Sequence, residues 1–227
     1  MRSHPSTTTK LKAALGGLAL IAAAALPMAA TPATAAPALS AETVAATKTV
    51  PSLGYSTQTV KTLNIDFQYQ QTGYWCGPAA TRIALSARIS PPSQQQLANE
   101  LPTTTNGTDW IGQVTRVLNN HLGTGWYETK EMPNDPPTQA QRDLLWRDVV
   151  LDINNNYPIV ANIVAPASNH PPGYPNYTIY HYFTVIGYDD SDQTVLIADP
   201  AGFAPTATYW LTFNQLATLI PPKGYSA

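Results

Sequence analysis

Gly73-Tyr74-Trp75-Cys76-Gly77-Pro78-Ala79-Ala80 holds the only cysteine of the 227-residue chain and sets it where a helix begins. Pro78 fits the first helical turn, where a missing N–H is no loss. From Ala79 to Arg88 the residues suit a helix, with Ile83, Ala84 and Ala87 at core spacing. A helix N-terminus offers unsatisfied N–H groups and a partial positive charge, and both favour a thiolate over a thiol. A buried, inert cysteine has no need of that placement. Being alone, Cys76 cannot form an internal disulfide or a zinc site of paired thiolates.

Upstream, Ile65, Phe67 and Tyr69 alternate with Asn64, Asp66, Gln68 and Gln70, which predicts a half-buried strand ending in a turn at Gln71-Thr72-Gly73. Downstream, three Ser/Thr-x-x-Gln capping boxes announce helices, starting at Ser93, Thr138 and Thr212. A further helix is expected over Asp109–Leu122, closed by Gly123. Pro158–Val164 and His181–Tyr188 read as buried strands, and Thr194–Ala198 returns beside the second after a polar turn. Tyr209–Leu211 adds a short strand. Helices come first and antiparallel strands second, which is an α+β domain.

The ends read differently. Arg2, Lys10 and Lys12 precede an apolar run of 14 residues, Ala13–Leu26, and Ala33-Thr34-Ala35 offers a cleavage site. Residues 1–35 therefore read as a secretory signal peptide, too short in its apolar part to span a bilayer. The expected product is secreted, with no membrane attachment after cleavage. Residues 36–60 lack periodicity and read as a linker or pro-segment, 61–222 as one domain, and 223–227 as a C-terminal tail. Charged residues are only 11% of the chain, against roughly 25% in an average globular protein. With net charge −2 and no basic block, nucleic acid is not an expected partner.

A reactive thiolate needs a base. His121 lies in the last turn of a helix, where histidine commonly serves the dipole, and His170 lies in a proline-rich loop. His181 opens a strand whose hairpin partner ends at Asp199, 18 residues on. In an antiparallel pair those two ends lie side by side, so Asp199 can fix the imidazole's tautomer. Gln70 stands six residues before the cysteine, and its amide can donate to an oxyanion together with the Cys76 N–H; Gln71 is the rival. Tyr74, Trp75 and Gly77 flank the thiol and are candidate substrate contacts. No metal or cofactor is expected.

The elements Gln70-x5-Cys76-Gly77-Pro78-Ala79-Ala80, His181-Tyr-Phe-Thr-Val-Ile-Gly-Tyr-Asp-Asp190 and Ala198-Asp199-Pro200 together resemble the papain-like cysteine peptidases of family 39, in particular their secreted, stand-alone branch. The resemblance covers about residues 61–222. It implies a helical lobe carrying Cys76, a sheet lobe carrying His181 and Asp199, and a cleft between. It assigns Cys76 as nucleophile, His181 as base then acid, Asp199 as orienter and Gln70 as oxyanion donor, acting on a peptide or protein substrate as a monomer. The best-known members cut leaders after double glycine and place an acidic residue before the cysteine; here that residue is Trp75 and no transporter is attached. Acyl transfer to an amine, or a catalytically silent extracellular binding module, are the alternative readings.

Overall fold

The computed structural model describes residues 60–227; the expected signal peptide and all but the last residue of the expected linker lie outside the described residues. The first lobe contains α1 (Cys76–Ser86), α2 (Gln94–Glu100) and α3 (Ile111–Leu122). Ser93 Oγ accepts the Gln96 N–H at the start of α2, and Gly123 closes α3 in the left-handed conformation. α3 starts two residues later than the sequence suggests, because Asp109 and Trp110 stay outside the helix, Trp110 as its extended N-cap.

The strands are β1 (Val60–Thr62), β2 (Thr129–Glu131), β3 (Ile159–Ala165), β4 (Ile179–Asp189), β5 (Thr194–Ala198), β6 (Thr208–Thr212) and β7 (Gly224–Ser226). They form one antiparallel sheet in the order β2-β7-β3-β4-β5-β6, and β1 pairs with the far end of β4. α4 (Gln139–Asn154) starts with a complete capping box at Thr138 and Gln141, and α5 (Phe213–Leu219) is capped by Thr212. Helices cover both faces. Val160 and Tyr182 pack with α1–α3, whereas Ile159, Ala161 and Ile163 pack with α4 and α5, as the two-residue period of a strand requires.

Two expectations are corrected. Residues 64–70 are extended but join no ladder. Several of their backbone groups are taken by side chains instead: Arg82 Nη1 donates to the Asp66 carbonyl, Ser86 Oγ accepts the Asp66 N–H, and Gln94 Nε2 donates to the Tyr69 carbonyl, while the Gln70 N–H donates to the Pro200 carbonyl. Residues 223–227 are not a free tail. β7 lies between β2 and β3, and Tyr225, Ser226 and Ala227 are buried.

Candidate active site

Cys76 is the first residue of α1, and Thr184 Oγ1 donates to the Ala80 carbonyl at 2.9 Å, tying the helix to β4. His181 lies near the start of β4, only 4% exposed. Its Nε2–H donates to Asp199 Oδ1 at 2.8 Å. The Cys76 thiol lines the same cleft as this imidazole, and with Nε2 on Asp199 the ring nitrogen left for sulfur is Nδ1. Cys76, His181 and Asp199 thus form a connected line inside the protein.

The electrostatics of this line run in one direction. Burial pushes the Cys76 thiol up, but the hydrogen bond and charge of His181, with the N–H groups of Tyr182 and Gly77, bring it below its ordinary value. Burial pulls His181 down, yet the charge and hydrogen bond of Asp199, together with Cys76, raise it to about 10. Burial raises Asp199, and His181, the Tyr209 hydroxyl and the Ala201 N–H lower it to about 2. Each shift favours thiolate, imidazolium and carboxylate.

The spacing of 18 residues between His181 and Asp199 works only because of a bulge. β4 and β5 pair Asp189 with Thr194 and Gly187 with Leu196, but Val185 with Ile197, which leaves Ile186 as an extra residue on β4. Without it, Asp199 would stand beside Thr184, whose side chain leaves the sheet on the face opposite His181. With it, Thr184 pairs with Ala198, and continuing the register sets Asp199 beside Phe183, on the histidine's face.

Asp199 is only 3% exposed and accepts four hydrogen bonds. Oδ1 takes the His181 Nε2–H and the Ala201 N–H (2.9 Å); Oδ2 takes the hydroxyls of Tyr174 (2.7 Å) and Tyr209 (2.6 Å). Neither tyrosine carries a sequence signal. One sits in the proline-rich loop and the other in a short strand, and only the fold brings them to the carboxylate.

Gln70 Nε2 donates to the Thr72 carbonyl at 2.9 Å, while its Oε1 is buried without a partner. The Gln71 residue is exposed. Gln94, fully buried at the start of α2, clamps this segment by accepting the Gln71 N–H and donating to the Tyr69 carbonyl. Of the other histidines, His121 bonds Glu100 at 2.6 Å and His170 lies against the Pro171 carbonyl.

Cys76 and His181 open onto a cleft of about 170 Å³ walled by residues 106–109, Asn162, Tyr180, Tyr182 and Lys223. Tyr74 and Trp75 are not in its lining, and Gly77 acts from behind the wall: a Cβ there would lie 2.2 Å from Thr108 Oγ1. A larger, mainly apolar pocket of about 1070 Å³ lies along α4 and Phe213 and holds none of these groups. The chemistry, not the volume, selects the smaller cleft.

Residues 62–218 match the family described as "Peptidase_C39 like family". Among solved structures, the chain is similar to the peptidase domain of Streptococcus ComA, a bi-functional ABC transporter involved in quorum sensing (17% identity, TM-score 0.47, covering 72% of this chain and 98% of that one). It is also similar to a putative C39-like peptidase from Bacillus anthracis (16%, 0.47, 73% and 96%). Xylellain, a cysteine protease from Xylella fastidiosa, is a third (14%, 0.45, 74% and 85%). No curated protein matches the chain.

Proposed function

The chain belongs to the C39-like peptidase family, and from that premise we propose that it is a secreted cysteine peptidase that hydrolyses peptide bonds through Cys76, His181 and Asp199. The observation that carries this reading is that His181 bonds the buried Asp199 carboxylate at 2.8 Å through one ring nitrogen and lines the same cleft as the Cys76 thiol. In the proposed reaction the Cys76 thiolate attacks the peptide carbonyl carbon. The imidazolium gives its proton to the departing amine, leaving a thioester and neutral imidazole. The imidazole then takes a proton from water, whose oxygen attacks the thioester; the C–S bond breaks, the acid is released, and the Cys76 thiolate and the His181 imidazolium are restored. Asp199 keeps the ring in one tautomer throughout.

The oxyanion is assigned to the Cys76 N–H and the Gln70 amide, a role that requires Nε2 to serve the oxyanion besides the Thr72 carbonyl it now bonds. Gly77 permits the close approach of the cleft wall, and Tyr74 and Trp75 are assigned to substrate beyond the cleft itself. Export rests on the leader pattern in residues 1–35.

The test is the rate of Cys76 alkylation by iodoacetamide against pH in the full-length protein and in His181→Ala, with a peptide library assayed by mass spectrometry. An ordinary thiol titrates near 8.5, and one paired with imidazolium at a helix N-terminus between about 3.5 and 7.5. The expected outcome is fast alkylation at pH 5–6 that collapses in the variant, with library cleavage abolished by Cys76→Ala. A wild-type profile near 8.5, unmoved by the variant, would overturn the ion pair.

A further inference from the structure

Asp199 lies at the meeting point of four pieces of chain. Its donors come from β4 (His181), from the turn that follows it (Ala201), from the proline-rich loop 166–178 (Tyr174) and from β6 (Tyr209). We infer that Tyr174 and Tyr209 are positioning residues of the site: they hold the Asp199 carboxylate square to His181, and through Tyr174 the proline-rich loop becomes part of the support of Cys76. The inference rests on the reading of Cys76, His181 and Asp199 as a working triad.

The geometry divides the carboxylate's work. Oδ1 serves His181 and Ala201, and both phenols converge on Oδ2. The carboxylate is buried, so no bulk water can replace a lost donor. A carboxylate stripped of both phenols would have one bare buried oxygen. Turning about its Cβ–Cγ bond would share the two remaining N–H groups between the oxygens and draw Oδ1 off the His181 axis. The phenols remain protonated donors, because burial and then the charge of Asp199 raise both well above the ordinary tyrosine range.

Tyr174 does more than donate. Its ring meets the His181 ring edge-on with centroids 6.0 Å apart and packs on Phe203 at 5.0 Å. Gly173 has φ +76°, and a Cβ there would lie 2.2 Å from the Phe203 carbonyl oxygen, so the loop is held directly against the 203 segment. Asn169 donates to Thr218 Oγ1 and Gln215 to the His170 carbonyl, which pins the other side of the loop to α5. The titratable groups facing the line are the two phenols at Asp199 and, at the cleft, Asp109, Tyr180, Tyr182 and Lys223.

The experiment is the alkylation profile of Cys76 in the full-length protein for wild type, Tyr174→Phe, Tyr209→Phe and the double variant, each repeated in an Asp199→Ala background. Near-ultraviolet circular dichroism at neutral pH checks folding, and the single variants carry the test if the double variant does not fold. The acidic limb is expected to move up by about half a pH unit in each single variant and about one in the double. In the Asp199→Ala background, Tyr→Phe is expected to add nothing. An unmoved limb in a folded variant overturns the inference. So does a downward shift, or an upward shift that persists undiminished without Asp199. A wild-type limb near the ordinary thiol value of about 8.5 overturns instead the triad reading, and this inference with it.

Discussion

At Gly77 the start of α1 lies against the side chain of Thr108, and the residue leaves no room for a methyl group. Gly77→Ala would push Thr108, and with it the 106–109 wall of the cleft, away from Cys76. The strain is expected to cost about 1–3 kcal/mol of stability. The displaced wall is expected to lower kcat/KM by roughly tenfold or more. Chemical denaturation and steady-state kinetics on a cleaved library peptide check both. At this scale sequence reading reaches the groups with chemical signatures: a lone cysteine before Gly-Pro, a histidine opening a strand, an aspartate before proline. It does not reach Tyr174, Tyr209 or Gln94. Each is ordinary in its local context and gains its role from partners 10 to 25 residues away.

Among the elements, the capped helices were legible because caps are local. Ser93, Thr138 and Thr212 each accept the N–H three residues on. The β4–β5 hairpin was legible for the same reason. The alternation over 64–70 misled, because it does not report what the backbone bonds to, and Tyr69, on its apolar side, is exposed. Ile65 and Phe67 do pack inward, but Arg82, Ser86 and Gln94 take the ladder's place. β1, β2 and β7, three residues each, are too short to show a period. The bulge makes a sharper prediction. Deleting Ile186 heals the ladder while keeping Thr184 opposite Ala198, so Asp199 stays on the histidine's face. The low-pH alkylation of Cys76 is expected to survive. Stability is expected to fall by about 2–4 kcal/mol, because a buried isoleucine and the carbonyl that accepts the Leu63 N–H are lost. A melt and an alkylation profile on the same variant check both halves.

For the whole molecule, the order of predicted helices and strands pointed to the α+β class, and the sheet bears that class out. The place of β7 inside the sheet was not legible, because its partners β2 and β3 lie far back along the chain. Stability also depends on a carboxylate far from the cleft. Asp152 on α4 accepts the Trp126 Nε1–H with one oxygen, and its other oxygen is buried without a partner. Burial, and then the charge of Asp148 against the Trp126 bond, raises it to about 6. A raised carboxyl favours the fold below its unfolded value of 3.8, and that contribution is lost as pH rises through about 6. Asp152→Asn is therefore expected to stabilise the domain by about 1–2 kcal/mol at pH 7.5 and by little at pH 4. Thermal melts at the two pH values test this.

The extra residue at Ile186 also bears on how such a site can drift in descent. A bulge absorbs an odd residue, so a hairpin can lose or gain one position on either arm and still bring acid and base to one side. The count of residues from histidine to aspartate is then free to wander by one between relatives, while insertions at the tip, around 190–193, lie beyond the bulge and leave the pair alone. What inheritance must preserve is the register on the site side of the bulge, Val185 with Ile197 and Thr184 with Ala198, and a search that fixes the residue count will pass over working members.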